Sequence, residues 1–425
     1  MIRFLPNLFG MMLLLFSVKA GEVLVIGTAD LHGDLANLSR LASQIKRYPD
    51  AIKIDTGDFA QGDFVCANSG GLPVIDAFNE LKYDLLVPGN HEFEFTPETF
   101  YIWRERFAGK ILGMQWRFGD FVPEAWSIIE RNGYRIGIVG MGESGMRKRA
   151  EIFSALQWQD EIDLLRKLMP EIRKAKCDVL LLVAHTALKG NFGELYTILQ
   201  KFPEFDAVIA AHSHREHPGS IVAKKIASQP GAFGKSAVLL RFCFDENKKL
   251  VQIKSQLLRG GQETDSKILE IYSLAKKEVG HIGQEKLGSF SSPDEFGKFC
   301  ADGICKYFQC DAAFFSMNKK YFTPGWMTGE SLFRLMPYGN RICIVRSNGR
   351  DLEKLAEKLT NPRRQIYSAG KFSGDNIQVA MSEHLFLMYQ KMAKERKYHA
   401  ETVGVFERDA VIWTLKKDLN KNIVE

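Results

Sequence analysis

The chain has 425 residues, of which 45% are hydrophobic and 25% charged, with a formal net charge of +6. These fractions are ordinary for a soluble globular protein, and the length exceeds what one core usually serves, so two domains are expected. The basic excess is small and scattered without a long Lys/Arg block, so charge does not indicate nucleic-acid binding.

Residues 1–20 read as a signal peptide outside the fold. Arg3 supplies a positive start, Leu8–Phe16 a short apolar run, and Val18-Lys19-Ala20 the small residues before a cleavage point at Gly21. The run is shorter than the roughly 20 residues a membrane span needs. No other stretch is long and apolar enough to cross a membrane. An exported protein, periplasmic or secreted, is expected. The cysteines number seven. Cys300, Cys305 and Cys310 lie close together and could hold a disulfide in an oxidising compartment. As a zinc site they lack a fourth ligand and a familiar spacing. They are read as structural, with the pairing open.

From Glu22 onward, strands alternate with helical stretches. Glu22–Gly27 is a buried strand ending in Thr28-Ala29-Asp30-Leu31-His32-Gly33-Asp34. A helix follows with Leu35, Leu38, Leu41 and Ile45 on one face. Ala51–Ile54 ends in Asp55-Thr56-Gly57-Asp58. After an amphipathic helix near Val74–Leu81, the run Tyr83–Val87 meets Pro88-Gly89, which breaks the strand and presents Asn90, His91, Glu92 and Glu94. Lys110–Gly113 and Arg135–Gly140 look like further strands, with Asn132-Gly133 as a hairpin turn. A helix near Asp160–Lys174 precedes Asp178–Ala184, which ends in His185. Asp206–Ala211 ends in His212-Ser213-His214. Strands near Ala237–Phe244 and Leu250–Leu257 close a first domain over residues 21–258. Residues 259–285 read as a linker whose helix, Asp265–Val279, has Ile268, Ile271 and Leu274 on one face. A second domain covers 286–425.

Five strand ends thus carry Asp30/His32, Asp58, Asn90/His91, His185 and His212/His214. Five of these residues are histidines, in a chain with only nine. A lone histidine at a strand end is more often structural than a ligand. Five polar clusters on one edge of an α/β sheet, where ligands bind, favour a metal centre. Mixed imidazole and carboxylate donors suit Mn, Zn, Co, Fe or Ni better than Mg or Ca. The donors are too many for one ion, and two divalent transition-metal ions about 3.5–4 Å apart would use them all. Such a pair turns a bridging water into hydroxide at neutral pH and stabilises both oxygens of an in-line displacement, which is phosphoester hydrolysis chemistry.

Asp-x-His, Gly-Asp, Gly-Asn-His-Glu, a histidine after a strand, and His-x-His, in that order, resemble the calcineurin-like metallophosphatases. Thr28–Gly33 and Gly89–Phe93 match more closely the 5′-nucleotidase and UDP-sugar hydrolase branch. So does Gly325-Trp326-Met327-Thr328 followed by Met336-Pro337-Tyr338-Gly339-Asn340, the strand Arg341–Ser347 and a helix over 351–359. The resemblance implies a metallophosphatase-type α/β sandwich followed by a smaller α/β substrate-binding domain. It places Asp30, His32, Asp58 and His214 on one metal and Asp58, Asn90, His185 and His212 on the other, with Asp58 bridging. It makes His91 the residue that stabilises the transition state or protonates the leaving oxygen. In the family an aspartate three residues on partners that histidine; here the position is Glu94.

The resemblance also implies that the second domain rotates on its linker to carry substrate to the metals. Its substrate site departs from the family. No arginine lies between Gly260 and Phe333, and Asn318-Lys319-Lys320 stands where an arginine-bearing turn is usual. A lysine cannot reproduce a bidentate guanidinium grip. Tyr338, Asn340, Lys319 and His384 are the candidate substrate-binding residues. Each also has a bland reading: Tyr338 as core, the lysines as a solvated turn. The expected activity is two-metal hydrolysis of a small nucleotide-like phosphoester, departing from simple nucleoside monophosphates. The alternatives are an offshoot acting on a cyclic nucleotide, a nucleotide sugar or a sulfur ester, and a metal-holding binding protein with little catalysis.

Overall fold

The computed structural model describes residues 21–422 except 349–350, 353, 355–356, 359, 361–364 and 393–399. The expected signal peptide, residues 1–20, lies outside the described residues, as does part of the helix expected over 351–359. No described helix is long and apolar enough to cross a membrane.

The unbroken apolar run at the start becomes the strand Gly21–Thr28. It pairs in parallel with Ile52–Asp55 and antiparallel with Ser236–Phe244. Burial on both faces explains why that run does not alternate with polar residues. Its sheet has six strands, in the order 250–259, 236–244, 21–28, 52–55, 85–86 and 110–111. A second six-stranded sheet runs 217–222, 225–229, 207–210, 179–184, 134–141 and 126–131. Val23, Val25, Ile54, Val183, Ile209 and Leu240 fill the space between the sheets. The outer faces are covered by helices that include Leu35–Ile45 and Leu72–Glu80 on one side, and Glu161–Ala175 and Glu194–Lys201 on the other. The result is the α/β sandwich expected from the sequence.

Several elements differ from the sequence expectation. The strand expected over Tyr83–Val87 is only Leu85–Leu86, because Pro88-Gly89 turns the chain almost at once. His217–Val222 and Lys225–Gln229 form an antiparallel pair that their mixed composition did not reveal. Asn132 and Gly133 have φ of 54° and 77°, the left-handed pair a tight hairpin requires. All seven cysteines are free thiols.

The linking helix runs Ser266–Gln284, capped by the Asp265 carboxylate, which accepts from the N–H groups of Lys267 and Ile268. Its buried stripe is Ile268, Ala275, Val279 and Gly283, with Tyr272 partly buried beside them, while Leu274 is 53% exposed. The stripe differs from the expected one because the helix lies across three first-domain helices. Gly283 sits against the ring of Phe64 there.

The second domain is a five-stranded sheet in the order 365–370, 312–317, 377–382, 341–347 and 400–406. Helices Pro293–Phe308 and Glu407–Asn422 cover one face and Glu383–Met392 the other. Glu407 is 4% exposed and its N–H donates to the Asn340 carbonyl. Burial, with the charge of Glu383 added, pushes its carboxyl from 4.5 up to about 8. The folded protein therefore keeps a proton that the unfolded chain releases. Its stabilising share is complete below pH 4.5 and is lost as pH rises towards about 8. Glu407→Gln cannot ionise, so urea midpoints for this variant should fall less steeply across that range than for the natural protein.

Candidate metal centre

The loops that follow strands 21–28 and 52–55 continue the strands' parallel pairing beyond the sheet. Thr56 N donates to Thr28 O at 2.8 Å, Asp30 N to Gly57 O at 2.8 Å, His32 N to Asp58 O at 2.9 Å and Gly33 N to Phe59 O at 2.8 Å. This lacing holds Asp30, His32 and Asp58 in the left-handed region, with φ of 51°, 50° and 55°. His212 and His214 share it at 73° and 58°. Non-glycine residues seldom adopt this conformation, and such strain clusters at functional sites.

Two groups of donors result: Asp30, His32 and His214, and Asp58, His185 and His212. Within each, one donor atom per residue lies within 4.8 Å of the others. The groups adjoin, since His185 Nε2 is 3.1 Å from Asp58 Oδ2 and 4.0 Å from Asp30 Oδ1. Asp58 also anchors the third loop by accepting the N–H of His91 at 2.8 Å. Both oxygens of Asp30 face the N–H of His212 at 3.1 Å.

The arrangement calls for positive charge. Carbonyls of Thr56 and Gln61 face the Nδ1 atoms of His185 and His32 at 2.6 and 2.9 Å. Each ring therefore donates from Nδ1 and turns Nε2 inward as an acceptor, the tautomer a metal ligand needs. His32 Nε2 then faces His214 Nε2 at 3.1 Å. The buried Oδ1 of Asn90 has no hydrogen-bond partner among the described residues, and the buried Nε2 of His185 meets the Asp58 carboxylate. Buried polar atoms without partners are costly, so these donors fit divalent ions. The charges agree. Burial lowers His32 to about 4 and raises Asp30 to about 7. Against the cost of burial, the Asp58 carboxylate draws a proton onto His185 and raises it to about 10. A divalent ion would occupy the place of that proton.

Glu92, which the sequence reading quoted only as part of a motif, organises this centre. Its Oε2 accepts from Asp58 N at 2.7 Å and Gly89 N at 2.8 Å, and its Oε1 from Phe59 N at 2.9 Å and Ala60 N at 3.2 Å. The signal was an acidic residue set directly between His91 and an apolar Phe93.

His91 Nδ1 lies 2.7 Å from Glu94 Oε1, and its Nε2 is 3.9 Å from Asp58 Oδ2. Glu94 and Asp58 overcome the cost of burial and raise the imidazole to about 9. A cavity of about 810 Å³ opens beside it, lined by Asn90, His91, Arg149, Tyr338, Asn340 and His384 among others. The structure thus brings Tyr338, Asn340 and His384 to one wall. Lys319 is not among the residues lining this cavity, and its Nζ lies 2.8 Å from Asp294 Oδ1. Arg149 and Tyr321, which the sequence reading did not single out, both line the cavity.

Residues 23–216 match the family model for calcineurin-like phosphoesterases. The "Trifunctional nucleotide phosphoesterase protein YfkN" of Bacillus subtilis is 21% identical over 251 residues, 46% of this chain and 17% of that protein. A human 5′-nucleotidase is 22% identical over 407 residues, 82% of this chain and 69% of that one. The matches span 17%, 27% and 38% of the lengths of three relatives of this chain. Among solved structures, a putative 5′-nucleotidase from Staphylococcus aureus superposes with a TM-score of 0.71 at 15% identity, covering 93% of this chain and 97% of that one.

Elemental analysis after dialysis should find two metals per chain. Asp58→Asn should lower both, and His32→Ala mainly one. Glu92→Gln should lower metal content without removing a ligand, because an amide would turn a donor towards backbone N–H groups. Lys319→Ala should leave the KM for a phosphoester and its salt dependence unchanged, since Nζ is already paired with Asp294.

Proposed function

This chain belongs to the 5′-nucleotidase family of calcineurin-like metallophosphoesterases, and on that premise we propose that it is an exported two-metal phosphohydrolase acting on small nucleotide-like phosphoesters. The observation that carries the reading is the pair of adjoining donor groups, Asp30/His32/His214 and Asp58/His185/His212, beside a cavity between the two domains. Asp58 lies where it can serve both groups, and Asn90 adds its orphaned Oδ1. Two divalent ions held there would supply a nucleophile from water at neutral pH and neutralise charge on the phosphoryl oxygens.

The chain's own residues do the rest. His91 commits Nδ1 to Glu94, which leaves Nε2 to donate to a phosphoryl or leaving-group oxygen. Glu94 fixes the ring's orientation. The Tyr338 ring stacks on the imidazole, with centroids 4.7 Å apart and planes 23° apart, and walls the cavity on that side. Export rests on the signal-like composition of residues 1–20.

Turnover should be measured by chromatographic separation of substrate and products over a panel of nucleoside monophosphates, cyclic nucleotides, nucleotide sugars and sulfur esters, with Mn or Co added. Hydrolysis of a phosphoester should appear and should stop on chelation. His91→Ala should cut kcat by about 10²–10⁴ with metal content unchanged, the scale of a general acid–base group. A metal-loaded chain that hydrolyses nothing in the panel is instead a binding protein.

A further inference from the structure

The contacts between the two domains converge on one short segment of the first. The turn Glu92–Glu94 and the following Phe95 are gripped by residues 338, 339 and 341 of the second domain. Arg341 is 3% exposed and donates Nη1 to Phe93 O and Nη2 to Phe95 O, both at 2.9 Å. Its guanidinium lies over the rings of Phe153, at 3.7 Å, and Phe406, at 4.9 Å. Gly339 N donates to Glu94 Oε2 at 2.7 Å. Tyr338 stacks on His91. The approach is close: a Cβ on Gly339 would lie 3.0 Å from Glu94 Cβ and 3.2 Å from Glu94 O. Further ties lie outside this segment, among them Arg149 Nη2 to Glu383 Oε1 at 3.0 Å, Thr402 Oγ1 to Ile152 O at 2.7 Å and the edge contact of the Phe64 and Phe333 rings.

Glu94 is therefore shared. One carboxylate oxygen orients His91 and the other receives an N–H from the opposite domain. The side chain is buried, so both hydrogen bonds form out of water and each is costly to lose. An aspartate would draw the carboxylate back by about 1.5 Å, one C–C bond, and could not keep both bonds from the same backbone position.

We infer that Glu94 is a positioning residue that couples docking of the second domain to the orientation of His91. The imidazole is held in place only while the Gly339 N–H holds the other oxygen. The kinetic side of this inference rests on the phosphohydrolase reading. The docking side rests on the contacts alone.

Two measurements on the full chain test it. One is amide hydrogen exchange by mass spectrometry, read in peptides covering 92–95 and 336–341. The other is the downfield proton resonance of His91 Nδ1–H, assigned by its loss in His91→Ala. The variants are Glu94→Asp and Gly339→Ala, with Arg341→Lys as the docking variant should Gly339→Ala fail to fold. Both Glu94→Asp and the docking variant should speed exchange in the two peptides and shift or erase the resonance. With a turned-over ester, Glu94→Asp should lower kcat roughly 10²-fold, the cost of a misplaced catalytic group, with KM little changed and metal content intact.

The inference is overturned if Glu94→Asp keeps the natural protein's kcat. It is equally overturned if the docking variant speeds exchange yet leaves the His91 resonance in place. Should the natural protein hydrolyse no ester, the phosphohydrolase reading fails on its own. Exchange and the resonance then decide the coupling without it.

Discussion

The rest of the site depends on the burial of the Glu92 carboxylate. It gathers N–H groups from Asp58, Phe59, Ala60 and Gly89, and so pins two loops from neighbouring strands to a third residue that belongs to neither metal group. Four hydrogen bonds would normally hold a carboxyl well below its usual range. Burial and the charge of Asp58 outweigh them here, and Glu92 rises to about 7. The centre thus accumulates more negative charge than its surroundings can solvate. Cations held there would relieve this and would link metal binding to the folding of these loops.

The same economy of space explains the glycines at the centre. Gly57 has a φ of +95°, and a Cβ there would lie 2.3 Å from Gly89 N. A Cβ on Gly89 would lie 2.3 Å from Asp58 Oδ1. The loops touch backbone to backbone, so a side chain at Gly57 would force them apart and one at Gly89 would displace the Asp58 carboxylate. Asp30, His32 and Asp58 hold left-handed backbone conformations where residues 28–33 are laced to 56–59, and His212 and His214 adopt the same conformation on a loop outside that lacing. Asp and His are among the non-glycine residues that tolerate this region best, which fits them to these positions.

The second domain meets this strained centre through Glu94 and His91, and its apolar clusters are built from its own residues with Ile152 of the first domain packed against one of them. The Arg341 guanidinium ends on two carbonyls of the turn, with the charges of Glu383 and Glu94 nearby. Burial nonetheless lowers it to about 10. Such a group is tolerated because two backbone carbonyls and two aromatic rings receive it. An interface of this kind favours one registration of the two domains over a sliding contact.

The order of strands and the identity of the donors were legible in the chain because both are local. Apolar runs end where the chain leaves the sheet, and Asp30, His32, Asp58, Asn90, His185, His212 and His214 are the polar residues at those ends. The Asn132-Gly133 hairpin was readable for the same reason, since its turn chemistry lies in two adjacent residues. Other features were decided only by the tertiary structure. The burial stripe of the linking helix follows three helices that are distant in sequence, and so it moved from Leu274 to Ala275 and Val279. Lys319 went to Asp294 because an aspartate from another helix lay within reach. Glu92 and Glu94 look alike in the sequence, two acids on one turn. Folding sent one inward to four backbone amides and set the other between a histidine and the opposite domain. A side chain's partner across the fold depends on where the backbone brings distant atoms, and that information is spread over the whole chain.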